Sequence, residues 1–303
     1  METDQKRARP LERARPALVI GLAVLIAAAA AIVILWGPSG DEVAAGRVRE
    51  LPRAPGVFVV SCEFSHALLD DPIVMPGEPG MSHRHDFFGN TDVDAFTVAQ
   101  DLLGGDTTCD QKLDTASYWS PSLYSGDESI VPDAIDAYYR AGPGVDPEVV
   151  EPYPPGLVML GGDPSASGAQ DLFIVGWGCG RNSGAYTEPQ PCPERRAMNL
   201  RVNFPDCWDG RTVDSINHRD HTAYSSEGRC PKTHPVAIAQ LTYVVHYPGI
   251  EVDGTLRLAS GSTLSGHADF INGWDQAKLE REVKTCIGRG AVCGQPYGSL
   301  NGL

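Results

Sequence analysis

Leu200-Arg201-Val202-Asn203-Phe204 is the most regular stretch of the chain. Successive side chains of a strand point to opposite faces. Leu200, Val202 and Phe204 therefore share one side and Arg201 and Asn203 the other, the pattern of a strand with one buried and one polar face. Working outward, residues 57–60, 95–99, 157–160 and 172–177 are short apolar runs bounded by Gly, Pro or Asp, as strands usually are. Residues 236–247 (VAIAQLTYVVHY) are apolar on almost both faces and read as a central strand. One helix is expected near the end, where Leu279, Val283, Cys286 and Ile287 follow i, i+4, i+7, i+8 spacing. Asp275 suits its N-cap and Gly288 its stop. With 33 Gly and 24 Pro supplying turns, the pattern predicts a mainly-β fold. It would be a β-sandwich-like single domain with long loops, several disulfides and one C-terminal helix.

The chain of 303 residues carries 39 acidic and 24 basic side chains, a net charge of −15. That excludes nucleic acid as a partner, which requires a basic footprint. The basic residues are unevenly placed. Residues 1–16 hold Lys6, Arg7, Arg9, Arg13 and Arg15, and residues 17–36 (ALVIGLAVLIAAAAAIVILW) hold no charge. Roughly 20 apolar residues span a bilayer as a helix, whereas the apolar core of a cleaved signal peptide runs only ~7–15. Positive charge before the span puts the N-terminus inside. The expected organisation is a cytoplasmic basic tail (1–16), a transmembrane signal anchor with the lipid bilayer as its partner (17–36), a tether (37–53) and one extracellular domain (54–303). Removing the tail's five basic and three acidic residues leaves 19 basic and 36 acidic, or −17, on the outer portion.

All eight cysteines follow the apolar span: Cys62, Cys109, Cys179, Cys192, Cys207, Cys230, Cys286 and Cys293. An even count in an oxidising compartment implies disulfides. There are about a hundred possible connectivities. Short-loop closures Cys179–Cys192, Cys207–Cys230 and Cys286–Cys293 would leave Cys62 with Cys109. No CxxC pair occurs, which argues against a zinc ribbon.

Five of the eight histidines fall in three compact groups. These are Ser82-His83-Arg84-His85-Asp86, Asn217-His218-Arg219-Asp220-His221 and His267-Ala268-Asp269-Phe270-Ile271-Asn272-Gly273-Trp274-Asp275. Histidines at i and i+2 of an extended backbone face the same side. There they can hold a divalent transition metal or split acid and base roles. The metal set expected is His83, His85 and His221. His83, His85, Asp86, His218, His221, His267 and Asp269 are the candidate catalytic residues, an acid such as Asp86 or Asp269 orienting an imidazole. His66, His234 and His246 read as structural or surface residues. Aromatic rings beside acids and amides suit sugar rings. Tyr118, Trp119, Tyr124, Asp206, Trp208, Asp209, Asn272 and Trp274 are accordingly the candidate substrate contacts. The competing reading makes the tryptophans core plugs and the histidines polar ties.

Several segments together resemble one family, the secreted domain-of-unknown-function family numbered nineteen ninety-six, found in filamentous fungi beside WSC carbohydrate-binding modules and in actinobacteria. They are Asp71-Pro72-Ile73-Val74-Met75-Pro76-Gly77 with Ser82-His83-Arg84-His85, Tyr118-Trp119-Ser120-Pro121-Ser122-Leu123-Tyr124, Pro155-Gly156-Leu157-Val158-Met159, Phe204-Pro205-Asp206-Cys207-Trp208-Asp209-Gly210, His218-Arg219-Asp220-His221-Thr222-Ala223-Tyr224, Cys230-Pro231-Lys232-Thr233-His234-Pro235-Val236, and His267 through Asp275. The resemblance covers roughly residues 57–286. It implies a surface protein connected with glycans and supplies no reaction. Two functions are therefore expected in competition. One is a polysaccharide hydrolase or lyase using the His/Asp groups, metal-assisted, or with Tyr124 or Tyr224 as acid or base. The other is a non-catalytic glycan-binding or cell-envelope protein. No nucleophile elbow, P-loop or dinucleotide fingerprint is present.

Overall fold

The computed structural model describes residues 56–180, 182–193, 196–249 and 256–298. The expected tail, span and tether all lie outside these residues. Among the described residues no helix is long and apolar enough to cross a membrane. The strands in chain order are β1 (Val57–Leu68), β2 (His85–Gly89), β3 (Ser117–Pro121), β4 (Leu123–Ser125), β5 (Glu128–Ile130), β6 (Ala134–Arg140), β7 (Val158–Gly162), β8 (Val175–Cys179), β9 (Asn182–Tyr186), β10 (Met198–Asn203), β11 (Cys207–Trp208), β12 (Thr222–Ala223), β13 (Val236–Ala237), β14 (Gln240–Tyr247), β15 (Leu256–Leu258), β16 (His267–Ile271) and β17 (Val292–Cys293). One helix, α1 (Gln276–Glu282), runs into a π turn, Val283–Ile287. The fold is mainly β, as the patterning predicts.

Ten strands form one sheet in the order β7-β16-β3-β2-β1-β6-β14-β10-β8-β9, with β17 added parallel to β1. The sheet curls so that its ends face each other. A side chain on Gly161 of β7 would meet Val202 of β10 at 2.8 Å. Tyr243 of β14 donates its hydroxyl hydrogen to Ser120 Oγ of β3 at 3.2 Å, although β2, β1 and β6 separate those strands in the sheet order. The core lies inside the curl, where Phe88, Tyr118, Met159 and Phe270 meet Trp177, Leu200, Val202 and Tyr243. A smaller apolar cluster of Phe87, Trp119, Leu160 and Ile271 packs on the opposite face of β2, β3, β16 and β7 under Ile73, Val93 and Leu102.

The strand expectations hold where burial agrees with the pattern. Leu200, Val202 and Phe204 are all buried. Residues 95–99 are a correction, since they form no strand. The Asp94 carboxylate accepts the Phe96 N–H at 2.8 Å, and Thr97 Oγ1 accepts the Asp94 N–H, so side chains hold the backbone in a turn. Residues 172–177 begin as a turn on Asp171 and become a strand only at Val175. Residues 236–247 split into β13 and β14, because the Ile238 N–H is given to Asp206 O. Four disulfides, Cys62–Cys109, Cys179–Cys192, Cys207–Cys230 and Cys286–Cys293, use all eight cysteines.

Candidate metal centre

Alternation along three neighbouring strands builds the centre. Phe87, Trp119 and Asp269 are cross-strand partners in β2, β3 and β16. Two residues further along each strand, the same face carries His85, Pro121 and His267. The face that buries the small apolar cluster therefore ends in two imidazoles and a carboxylate, with Pro121 between the histidines. His83 joins from the segment leading into β2, its ring 4.2 Å from that of His85 and 5.2 Å from that of His267. Asp71 completes the group. Its Oδ1 accepts the N–H groups of Ile73 and Val74, both at 3.0 Å, in the turn that crosses this face.

The hydrogen bonds fix which ring nitrogens are free. His85 Nδ1–H donates to Asp70 O at 2.9 Å, and His267 Nδ1–H donates to Ser265 O at 2.9 Å. A carbonyl only accepts, so the neutral rings carry their lone pairs on Nε2. His83 Nε2 and His267 Nε2 stand 3.3 Å apart. Ligand atoms of His83, His85 and His267 all lie within 4.8 Å of one another, as do those of Asp71, His85 and Asp269. Among the described residues His85 Nε2 and Asp269 Oδ2 are buried without a hydrogen-bond partner. Such orphans are rare in folded proteins.

Burial pushes the His83 imidazole down, His85 well down with help from its two neighbours, and His267 down to about 3. All three are neutral and able to donate lone pairs. Burial raises Asp71, and it raises Asp269 well above the ordinary carboxylate value, with repulsion from Asp71 adding to the latter.

The first and third histidine groups thus meet, with His83, His85, His267 and Asp269 together. Asp86 points to the opposite, interior face, where its Oδ1 accepts from Ser122 Oγ at 2.6 Å and from Arg84 Nη1 at 3.3 Å. His221 stands apart from the expected metal set. Its Nε2–H donates to Val158 O at 2.7 Å, while Ser215 N–H and Oγ both approach Nδ1. Both nitrogens are occupied, and Val158 is the far end of β7 from Gly162, the partner of His267, roughly 13 Å along the strand. His218 lies nearer, within electrostatic reach of Asp71, with Nδ1 on Asp214 Oδ1 at 2.8 Å.

The expected sugar contacts are mostly interior. Tyr118, Trp119 and Trp274 are wholly buried and offer no ring face to a ligand. Trp274 Nε1–H donates to Tyr139 Oη at 3.2 Å. Asn272 donates to Pro154 O at 2.8 Å and accepts the Trp274 N–H at 3.2 Å. Asp206, also buried, accepts the Ser225 N–H at 2.7 Å. Asp209 caps a surface turn through Arg211 and Thr212. Trp208 is half-buried and gives its N–H to Thr212 O, and Tyr124 is covered by the Arg257 guanidinium at 4.2 Å.

A family profile described as Domain of unknown function (DUF1996) matches residues 71–274. The chain belongs to the DUF1996 family. No curated protein and no solved structure matches the chain. The DUF1996 span begins at Asp71 and contains His83, His85, His267 and Asp269, so the whole centre lies inside the family domain. Asp71 is the member that the histidine-led reading passed over. Its sequence signals are its place in Asp70-Asp71-Pro72, an acidic pair opening a turn, and at the head of the family segment Asp71 through Gly77.

Proposed function

We propose that His83, His85 and His267 hold a divalent transition metal through their Nε2 atoms, and that the DUF1996 domain is a metal-assisted hydrolase. The observation that carries this reading is the convergence of three neutral imidazoles, two of them with Nδ1–H locked on backbone carbonyls. Two imidazole nitrogens bound to one tetrahedral ion at ~2.0–2.1 Å lie about 3.3 Å apart, the separation of His83 Nε2 and His267 Nε2. Carbonyl partners on the remote nitrogens are the usual means of orienting such ligands. Three histidines leave a coordination position for water, whose pKa a bound ion lowers. Asp269 Oδ2 lies 3.9 Å from His267 Nε2. Asp269 and Asp71, which border the three imidazoles, would be the carboxyl groups within reach to exchange a proton with that water once a bound cation favoured their ionised forms.

The glycan expectation enters here as the substrate class. The buried tryptophans weaken a stacking groove and so favour chemistry over simple binding. The lyase alternative loses its tyrosines, because Tyr224 gives its hydroxyl hydrogen to Asn203 O at 2.8 Å and Tyr124 is covered by Arg257. Four disulfides support an extracellular domain, which residues 17–36 would anchor to the cell membrane with the N-terminus inside.

Elemental analysis of the chelator-stripped, reconstituted domain tests the centre. About one zinc, cobalt or manganese per chain is expected. The expectation is near zero in folded His85→Ala and His267→Ala, and an unchanged value in His221→Ala. A wild type without metal, or histidine variants that keep it, overturns the reading. Release of reducing ends from polysaccharide, restored by the metal, then tests the reaction.

A further inference from the structure

Among the described residues, the loop between β11 and β12 supplies the one arginine beside this centre that makes no ion pair. Arg219 donates from Nη2 to Gly162 O at 2.9 Å, and Gly162 is the cross-strand partner of His267. The guanidinium is thereby pinned beside the metal ligand. Its charge reaches both His267 and Asp269. Among the described residues Arg219 forms no ion pair, and the Gly162 carbonyl is the one hydrogen-bond acceptor of its guanidinium. Arg84, the other nearby arginine, is already engaged with Asp86 and Ser122.

The loop is built to hold that position. Asn217 Oδ1 accepts the N–H groups of Arg219 and Asp220 at 3.2 and 3.0 Å. His218 takes the left-handed backbone conformation, φ +58°, which side chains other than glycine rarely adopt. Its Nδ1 is tied to Asp214, and the neighbouring His221 closes the loop onto β7. Strain of this kind persists where the surrounding structure over-determines it and gathers at ligand clamps. The product is an exposed, preorientated fork of N–H donors beside the centre.

We infer that Arg219 is the subsite for an oxyanion on the substrate, a carboxylate, phosphate or sulfate group, held next to the metal. The inference rests on the metal reading above and adds the substrate's charge. The guanidinium geometry matches two oxygens of such a group. An acidic or esterified sugar polymer fits, and a neutral glucan does not.

The test uses the cobalt-loaded domain, with metal content measured first. Inorganic phosphate, sulfate and acetate are titrated separately, followed by the cobalt absorption bands and by the 15N signal of the Arg219 side chain. At least one anion is expected to shift both signals. Arg219→Ala should weaken that binding about tenfold or more, the loss of one charge-assisted hydrogen bond or two, and Arg219→Lys should recover part of it. Cobalt content should not change in either variant. Equal anion binding by wild type and Arg219→Ala, both holding metal, overturns the inference and leaves the centre standing. If no metal is held, the 15N titration alone still reads the anion site, so the two failures are separable. The choice among the three anions names the group.

Discussion

Asp114 shows how burial alone can set the behaviour of a residue far from the centre. Its Oδ2 accepts the Tyr118 hydroxyl hydrogen at 2.7 Å and its Oδ1 accepts the Ala116 N–H at 3.1 Å. Tyr118 in turn shares a short hydrogen bond with Tyr139, which accepts from Trp274 Nε1. Burial raises the Asp114 carboxyl to about 8, more than these bonds lower it. The folded protein keeps this proton up to about pH 8, whereas the unfolded chain loses it near pH 4. Between those values the folded state binds more protons, so stability falls as pH rises, with a slope of up to ~1.4 kcal/mol per pH unit from this group. Asp114→Asn should remove that slope while keeping the Ala116 N–H contact, the Tyr118 bond reversing so that the amide donates to the Tyr118 oxygen. Urea titrations between pH 4 and 8 measure it, and parallel slopes in wild type and variant would mean that Asp114 is ionised when folded.

At the scale of elements, the C-terminal helix is the clearest success of periodicity. Leu279, Val283, Cys286 and Ile287 are all buried, and Asp275 accepts the Lys278 N–H at 2.8 Å as the N-cap. The last turn widens to a π turn before Gly288, which spacing alone does not reveal. A seven-residue helix has little stability of its own. Asp275→Ala should therefore cost about 1 kcal/mol and lower the melting temperature by roughly 2–4 °C, read by calorimetry. An unchanged melting temperature would show that the apolar face alone holds the helix. Strands were legible where one face met the core, as in β10, and illegible where a side chain captured the backbone, as Asp94 and Asp171 do. The His83 and His85 pairing was readable from i, i+2 alternation. The arrival of His267 depends on sheet order, and the departure of His221 on the carbonyl of Val158; neither is written in local spacing. Trp119 and Trp274 lie in the core; flanking acids and glycines do not report which side of a sheet a ring occupies.

For the whole molecule, the disulfides divide by the length of chain they close. Cys62–Cys109 spans 47 residues and ties β1 to the loop before β3, whereas Cys286–Cys293 spans 7. If the gain comes from restricting the unfolded chain, removal should cost about 4 kcal/mol for the first and about 2 for the second. Paired Cys→Ala variants unfolded in guanidinium rank them. The reverse order would mean that native contacts near α1 outweigh loop closure.

The parallel pairing of β17 with β1 sets Val57 beside Val292, with the Val57 N–H on Ala291 O at 2.9 Å. His85 pairs with Leu68 at the other end of β1, on the order of 35 Å away at the usual rise of a strand. Entry and exit therefore share one pole, and the histidines occupy the opposite one. An affinity handle, a surface attachment or a fusion partner joined directly before Val57 or after Cys293 would leave the histidine cluster open to solution. A circular permutant joining these two ends, reopened at the exposed Gly126 turn, should fold and take up the same amount of cobalt as the unpermuted domain.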